Sequence, residues 1–398
     1  MSMLAAPIRP SKASSRLGTE SAFDVLARAR ELEALGHEIV HMEIGEPDFN
    51  TPEHVKAAGE AAIAQDFSHY SPSAGIPELR DAIADYVSRF RGLAPYDRSN
   101  VVVGPGAKPI IWNLLSALLD PGDEMIYADP AYPAYESCAS YLGATPVPVP
   151  LLERKNFRLD LDELASKITP KTRLLVINSP HNPTGGVLTR EDLTVIAELA
   201  DRHDLLVVSD EIYSRNIYDA EFVSIASLPG MRERTVIIDG FSKAYAMTGW
   251  RLGYAVMPPA LSRMVTLFNN NTFSCTATFV QRAGIAALTG PDEPVVAMVD
   301  EFRKRRDALV KGLNALPGIT CTMPEGAFYA FPNVSKITND DKALASFFLE
   351  EGHIGSLGGS CFGPAGRGYV RFSYATSIGH IALALDRLAA VLPTFGKG

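Results

Sequence analysis

The chain lacks what would tie it to a metal, a membrane or a nucleic acid. Its 398 residues hold four cysteines, Cys138, Cys275, Cys321 and Cys361, too scattered for any pair to have metal-ligand spacing. They read as reduced thiols in a reducing, cytoplasmic setting. No apolar run approaches membrane-spanning length. Positive charge is in deficit, 37 lysines and arginines against 46 acids, and the net charge of −9 argues against nucleic acid or an anionic membrane surface as partner. Residues 1–19 carry Arg9, Lys12 and Arg16 and no acid, but no apolar secretory core follows, so a plain N-terminal arm is expected. Repeats and low-complexity tracts are absent, and neither G-x-G-x-x-G nor G-x-x-x-x-G-K-[ST] occurs at the one glycine turn that invites them.

What remains is ordinary globular material, 46% hydrophobic and 21% charged, long enough for one large domain and a smaller one. Short apolar runs alternate with amphipathic helical stretches, the pattern of a mostly parallel sheet. Three runs end in polar groups: Leu174–Ile177 in Asn178 and Ser-Pro-His-Asn182-Pro-Thr-Gly185, Leu205–Val208 in Ser-Asp210-Glu-Ile-Tyr213, and Val236–Ile238 in Asp-Gly-Phe-Ser242-Lys243. Ligands of open parallel sheets bind at such carboxyl ends. A fourth run, Val101–Val103, leads through Gly104-Pro-Gly106-Ala107-Lys108 into a helix predicted to open at Pro109, whose free N–H groups suit a phosphate. The run Arg303-Lys304-Arg305-Arg306 is expected to be a solvated helix face. From about Pro291 onward a second unit is expected, with a charged helix, a strand over 326–331, a helix near 343–351 and a strand over 368–374.

Lys243 follows a buried strand in a turn, and Arg251 stands eight residues later between Gly249 and Gly253. A partly desolvated lysine amine is a nucleophile toward carbonyls, and an arginine among glycines suits a phosphate. Together they point to a lysine imine with pyridoxal 5'-phosphate (PLP). One motif points elsewhere: His37-Glu-Ile-Val-His41 spells the zinc-peptidase word H-E-x-x-H. That chemistry needs a helix, yet Gly36, the β-branched pair Ile39-Val40 and the alternation of Val40, Met42 and Ile44 read as strand. On a strand the two histidines lie roughly 13 Å apart, too far for one ion, so no metal site is expected.

Taken with Ile44-Gly45-Glu-Pro-Asp-Phe49, Tyr70-Ser-Pro-Ser-Ala-Gly75, Asp120-Pro-Gly-Asp123, Asn182-Pro-Thr-Gly185 and Met247-Thr-Gly-Trp-Arg-Leu-Gly253, the chain resembles the class I, fold-type I PLP-dependent aminotransferases of the aspartate aminotransferase group. The likeness runs from about Gly18 to about Leu392. It implies an α/β fold, a large domain with a mostly parallel sheet sandwiched by helices plus a smaller α/β domain. Residues 1–50 would form an arm and part of the small domain, 51–290 the large domain and 291–398 the small one.

The resemblance implies these roles. Lys243 would carry the cofactor and shuttle the proton. Asp210 would hold the pyridine nitrogen protonated, while Asn182 and Tyr213 would bond the ring oxygen. Tyr132 would stack on the ring, where better-known members carry tryptophan. Arg251, Ser242 and the turn Gly106-Ala107-Lys108 would take the phosphate, joined by Tyr70 from the neighbouring subunit of a homodimer. Arg371 would grip the substrate α-carboxylate beside Gly45, with Asn182 and Tyr132 nearby. Two departures stand out: Gly240 occupies a position where many relatives place a phosphate-binding serine, and Gly18–Phe23 lacks the Pro-Ser-x-Thr word of some aspartate-specific members. Lys108 nevertheless matches a lysine that relatives turn toward an acidic substrate's distal carboxylate. The expected reaction moves the amino group of an L-amino acid, aspartate or glutamate favoured, to a 2-oxo acid by ping-pong half-reactions. Three other readings stay open: an aminotransferase for a non-acidic amino acid, a lyase or decarboxylase of the same fold, and a PLP-dependent oxidase. A transcription regulator is disfavoured, because the acidic chain leaves no length for a DNA-binding domain.

Overall fold

Leu174 and Val176 turn to one face of the central sheet, Leu175 and Ile177 to the other, and both faces are apolar because both are covered. A computed structural model describes residues 9–18 and 21–396; of the Gly18–Phe23 stretch, Thr19 and Glu20 lie outside the described residues. The sheet has eight strands in the order Val101–Gly104, Gly253–Val256, Thr235–Gly240, Leu206–Asp210, Thr172–Asn178, Glu124–Asp129, Thr145–Leu152, Arg158–Leu159. Pairing is parallel from Thr235–Gly240 through to Thr145–Leu152, while Gly253–Val256 runs antiparallel to both its neighbours and Arg158–Leu159 antiparallel to its one. Helices Ala107–Leu118 and Pro259–Thr272 pack on one face. Helix Arg190–Arg202 covers the other, and Pro77–Phe90 with Thr278–Thr289 close the end at Val101 and Tyr254.

A second core gathers Phe302, Leu309 and Leu313 of helix Glu293–Ala315 around Phe328, Phe348, Phe372 and Leu388. Val40 and Met42 belong to it as well, because the short strand Val40–His41 pairs in parallel with Ile354–Gly355. The strand Val370–Ser373 lies between Tyr329–Ala330 and Leu357–Gly358, so Arg371 sits on a central strand and is buried. Residues 37–44 hold no helix: His41 bonds Glu43 at 2.7 Å and Glu33 at 3.1 Å, and His37 lies against the His353 ring.

Three expectations need correction. The helix predicted from Pro109 begins at Ala107, because Gly106 with φ +94° turns the chain early and proline is tolerated in a first turn. The strand expected over 326–331 shrinks to Tyr329–Ala330. The basic run is not a solvated face throughout. Arg305 is buried on Asp48 at 2.6 Å, and Arg306 on Asp219 at 2.6 Å, so both join helix Glu293–Ala315 to other segments.

Candidate active site

The carboxyl ends of the parallel strands open into a cavity of about 560 Å³. Four cationic side chains line it, Lys108, Lys243, Arg251 and Arg371, against two acidic ones, Glu46 and Asp210. In a chain of net charge −9 this is a local reversal of sign, the arrangement that draws in an anionic ligand. Tyr132, Asn182, Tyr213, Ser242, Ala107 and Gly45 line the same space.

Asp210 ends its strand buried at the cavity wall. Tyr135 Oη donates to its Oδ2 at 2.5 Å and the Ile212 amide to its Oδ1 at 3.2 Å. Burial pushes its carboxyl up to about 6 despite these donors, with Asp239 and Glu211 adding like charge. Asn178, at the end of the adjacent strand, donates to the Asp210 carbonyl at 2.9 Å and accepts from the Asn182 amide at 2.9 Å. Asn182 Oδ1 in turn accepts from Arg371 Nη1 at 3.0 Å. Arg371 also donates to the Glu43 carbonyl, and its guanidinium lies 4.5 Å from the Tyr329 ring centre and 4.8 Å from that of Phe362. Half-buried Lys243 donates its Nζ to the Gly45 carbonyl.

The other anion position is built from glycines. Gly104, Gly253 and Gly240 stand in register across three strands. A carbon added at Gly253 would lie 2.5 Å from the Ala107 nitrogen, and one at Gly106 would lie 2.4 Å from Arg251 Nη2. Helix Ala107–Leu118 therefore comes down on the sheet with its first amides beside Arg251, and its N-terminus has no side-chain cap. Gly240 has a steric reason: a side chain there would meet Gly253 Cα at 3.0 Å and the Leu252 carbonyl at 3.2 Å. Lys108, in the first turn, holds its Nζ 5.5 Å from the Tyr132 ring centre.

Of the predicted site residues, Gly106 does not line the cavity and spends its amide on the Gly104 carbonyl at 2.8 Å, and Tyr70 stands outside it, 91% exposed. Sequence reasoning missed Tyr135 and Tyr329, and placed Asn178 at a strand end without giving it a role. Tyr135 was within reach, since it follows Tyr132 by three residues, at the start of helix Ala134–Leu142; Tyr329 carried no signal beyond an apolar strand. It also missed a buried ion cluster beneath the strand ends, where Arg91 bonds Glu211 and Asp239 at 2.5 Å each.

A lysine at a strand end, a buried carboxylate with no basic side chain among its hydrogen-bond donors, and an uncapped helix N-terminus beside an arginine fit PLP on their chemistry. Fold and site together define a PLP-dependent enzyme of fold type I. The profile of the family described as aminotransferase class I and II matches residues 37–388, and the chain belongs to that family. It is 41% identical to the aspartate aminotransferase of Pyrococcus abyssi, over 93% of this chain and 94% of that protein. It is 40% identical to aromatic-amino-acid aminotransferase 2 of Thermococcus litoralis, over 89% and 92%. The structure of the Thermus thermophilus aspartate aminotransferase with maleate superposes with a TM-score of 0.93 at 38% identity, covering 97% of this chain and all of that one. The protein is accordingly a PLP-dependent aminotransferase, a transferase of amino groups. No helix among the described residues is long and apolar enough to cross a membrane.

Proposed function

We propose that the enzyme transfers the amino group of an acidic L-amino acid, aspartate or glutamate, to a 2-oxo acid. The observation that carries this reading is Lys108, a cation in the cavity in addition to Lys243 and to the two arginines that a phosphate and an α-carboxylate would occupy. PLP, when bound, supplies the electron sink for the charge left on the substrate Cα. Lys243 Nζ would take that Cα proton and return it. Asp210 would hold the ring nitrogen protonated, Asn182 and Tyr213 the ring oxygen, and Tyr132 the ring face. Arg251, Ser242 and the Ala107 and Lys108 amides would hold the phosphate, with Gly106 turning the chain into that helix start. Arg371 would take the α-carboxylate beside Gly45, and Lys108 Nζ would meet the distal one.

We extend the reading to a cytoplasmic homodimer with Tyr70 reaching the partner's phosphate. Ser73 bonds Asn270 at 3.2 Å, which sets the Tyr70 segment beside helix Pro259–Thr272, where Met264 and Leu267 are also exposed. Exposed apolar side chains on neighbouring segments favour association.

A second reading has its own support: Phe23, Leu357 and Phe362 give the cavity an apolar wall that suits an aromatic donor. Absorbance titration of the holoenzyme with single amino acids, without acceptor, separates the two. Aspartate and glutamate should convert the chromophore at far lower concentration than phenylalanine. Lys108→Ala should cut kcat/KM for aspartate by about 10- to 100-fold, the worth of a hydrogen bond to a charged group, and leave alanine nearly unchanged. Equal losses for both donors would reject the acidic assignment.

A further inference from the structure

Tyr213 and Tyr329 place their hydroxyl oxygens 2.8 Å apart, and either could be the donor. Each hydroxyl carries one proton. If Tyr213 gives its proton to the cofactor's ring oxygen, this contact is a hydrogen bond only when Tyr329 donates. We propose that Tyr329 is a positioning residue: it donates to Tyr213 Oη and so commits the Tyr213 proton to the ring oxygen. The inference rests on the role given above to Tyr213.

Several neighbours hold Tyr329 at the cavity wall. It is buried, on a strand paired with the Arg371 strand, with Tyr329 opposite Ser373. Its hydroxyl lies so close to Gly45 that any side chain there would collide with it. The Arg371 guanidinium covers its ring at 4.5 Å, and Phe328 leans on it at 4.9 Å. Tyr213, also buried, meets it edge-on at 5.7 Å. Both rings are packed in the same core, which holds the two hydroxyls in contact as the proton directions are chosen. A hydroxyl that accepts one hydrogen bond becomes a stronger donor in the next, by roughly 10–30%.

Tyr213 donation favours the form of the lysine-bound chromophore in which the imine nitrogen has lost its proton, because the ring oxygen's charge is then no longer offset by that proton. The test is a spectrophotometric pH titration of the holoenzyme chromophore in the wild type, Tyr213→Phe, Tyr329→Phe and the double variant. Tyr213→Phe should raise the chromophore's pKa by about one to two units, the worth of a hydrogen bond to a charged group. Tyr329→Phe should raise it by about 0.3 unit, and by nothing in the Tyr213→Phe background. If Tyr213→Phe has no effect, the role of Tyr213 is wrong. If Tyr213→Phe acts and Tyr329→Phe either does nothing or acts equally in both backgrounds, the relay alone is overturned. A merely structural Tyr329 would change stability and leave the titration in place.

Discussion

Replacing Asp210 by asparagine should stabilise the apoenzyme at neutral pH while disabling the holoenzyme. The carboxyl is enclosed, and burial moves it from its ordinary 3.8 to about 6. That difference corresponds to about 3 kcal/mol in favour of the protonated form. The sign follows from proton binding: the folded state holds this proton more tightly than the unfolded chain, so the stabilisation is full below pH 3.8 and is lost as pH rises through about 6. At pH 7.5 the apoenzyme therefore carries an ionised, enclosed carboxylate. Asparagine removes that charge but loses one of the two hydrogen bonds from Tyr135 and Ile212, at a cost of about 1 kcal/mol. The net expectation is an apoenzyme more stable than wild type by about 2 kcal/mol at pH 7.5, and slightly less stable at pH 4. Denaturant unfolding of both cofactor-stripped proteins at the two pH values reads the difference directly, because other buried groups titrate alike in each. With PLP bound the order should invert, and kcat should fall by at least about 100-fold, since a charged partner of the reacting system is gone. An apo Asp210→Asn protein no more stable than wild type at pH 7.5, or a gain independent of pH, would refute the reasoning.

Gly253→Ala should weaken PLP binding by about 10-fold or more, because the added carbon would meet backbone atoms of Gly106 and Ala107 at 2.6 Å and 2.5 Å, which cannot yield as a flexible side chain does. Gly379→Ala, where only Ser377 Oγ lies near at 3.8 Å, should leave it unchanged, and equal affinities across the pair in a fluorescence titration would count against the cradle. Arg91→Met should cost about 3–5 kcal/mol of unfolding free energy, since Glu211 and Asp239 would be left buried without their cation. Glu211 keeps donors in Ser209 at 2.9 Å and Ser224 at 2.6 Å, so a measured loss below about 1 kcal/mol would mean that hydroxyls suffice.

The sequence by itself determined the elements that carry the chemistry. The strands ending at Asn178, Asp210 and Gly240 were legible because an apolar run that stops at polar groups is a local pattern. The order and spacing of short words around Lys243, Asp210, Asn182 and Arg251 pointed to the family, and the cavity gathers these residues with Arg371, from a strand 120 residues beyond Arg251. Burial and partnership were decided elsewhere. The resemblance singled out Arg371, but its burial on a central strand follows from pairings among the Tyr329, Leu357 and Val370 segments that no local window contains. Arg305 and Arg306 read as solvated, yet partners from distant loops enclose them. The Tyr213–Tyr329 contact joins residues 116 positions apart and exists only once the one core that holds both has assembled. Periodicity reports which face of an element is apolar; what that face meets depends on long-range packing, which the chain settles only on folding.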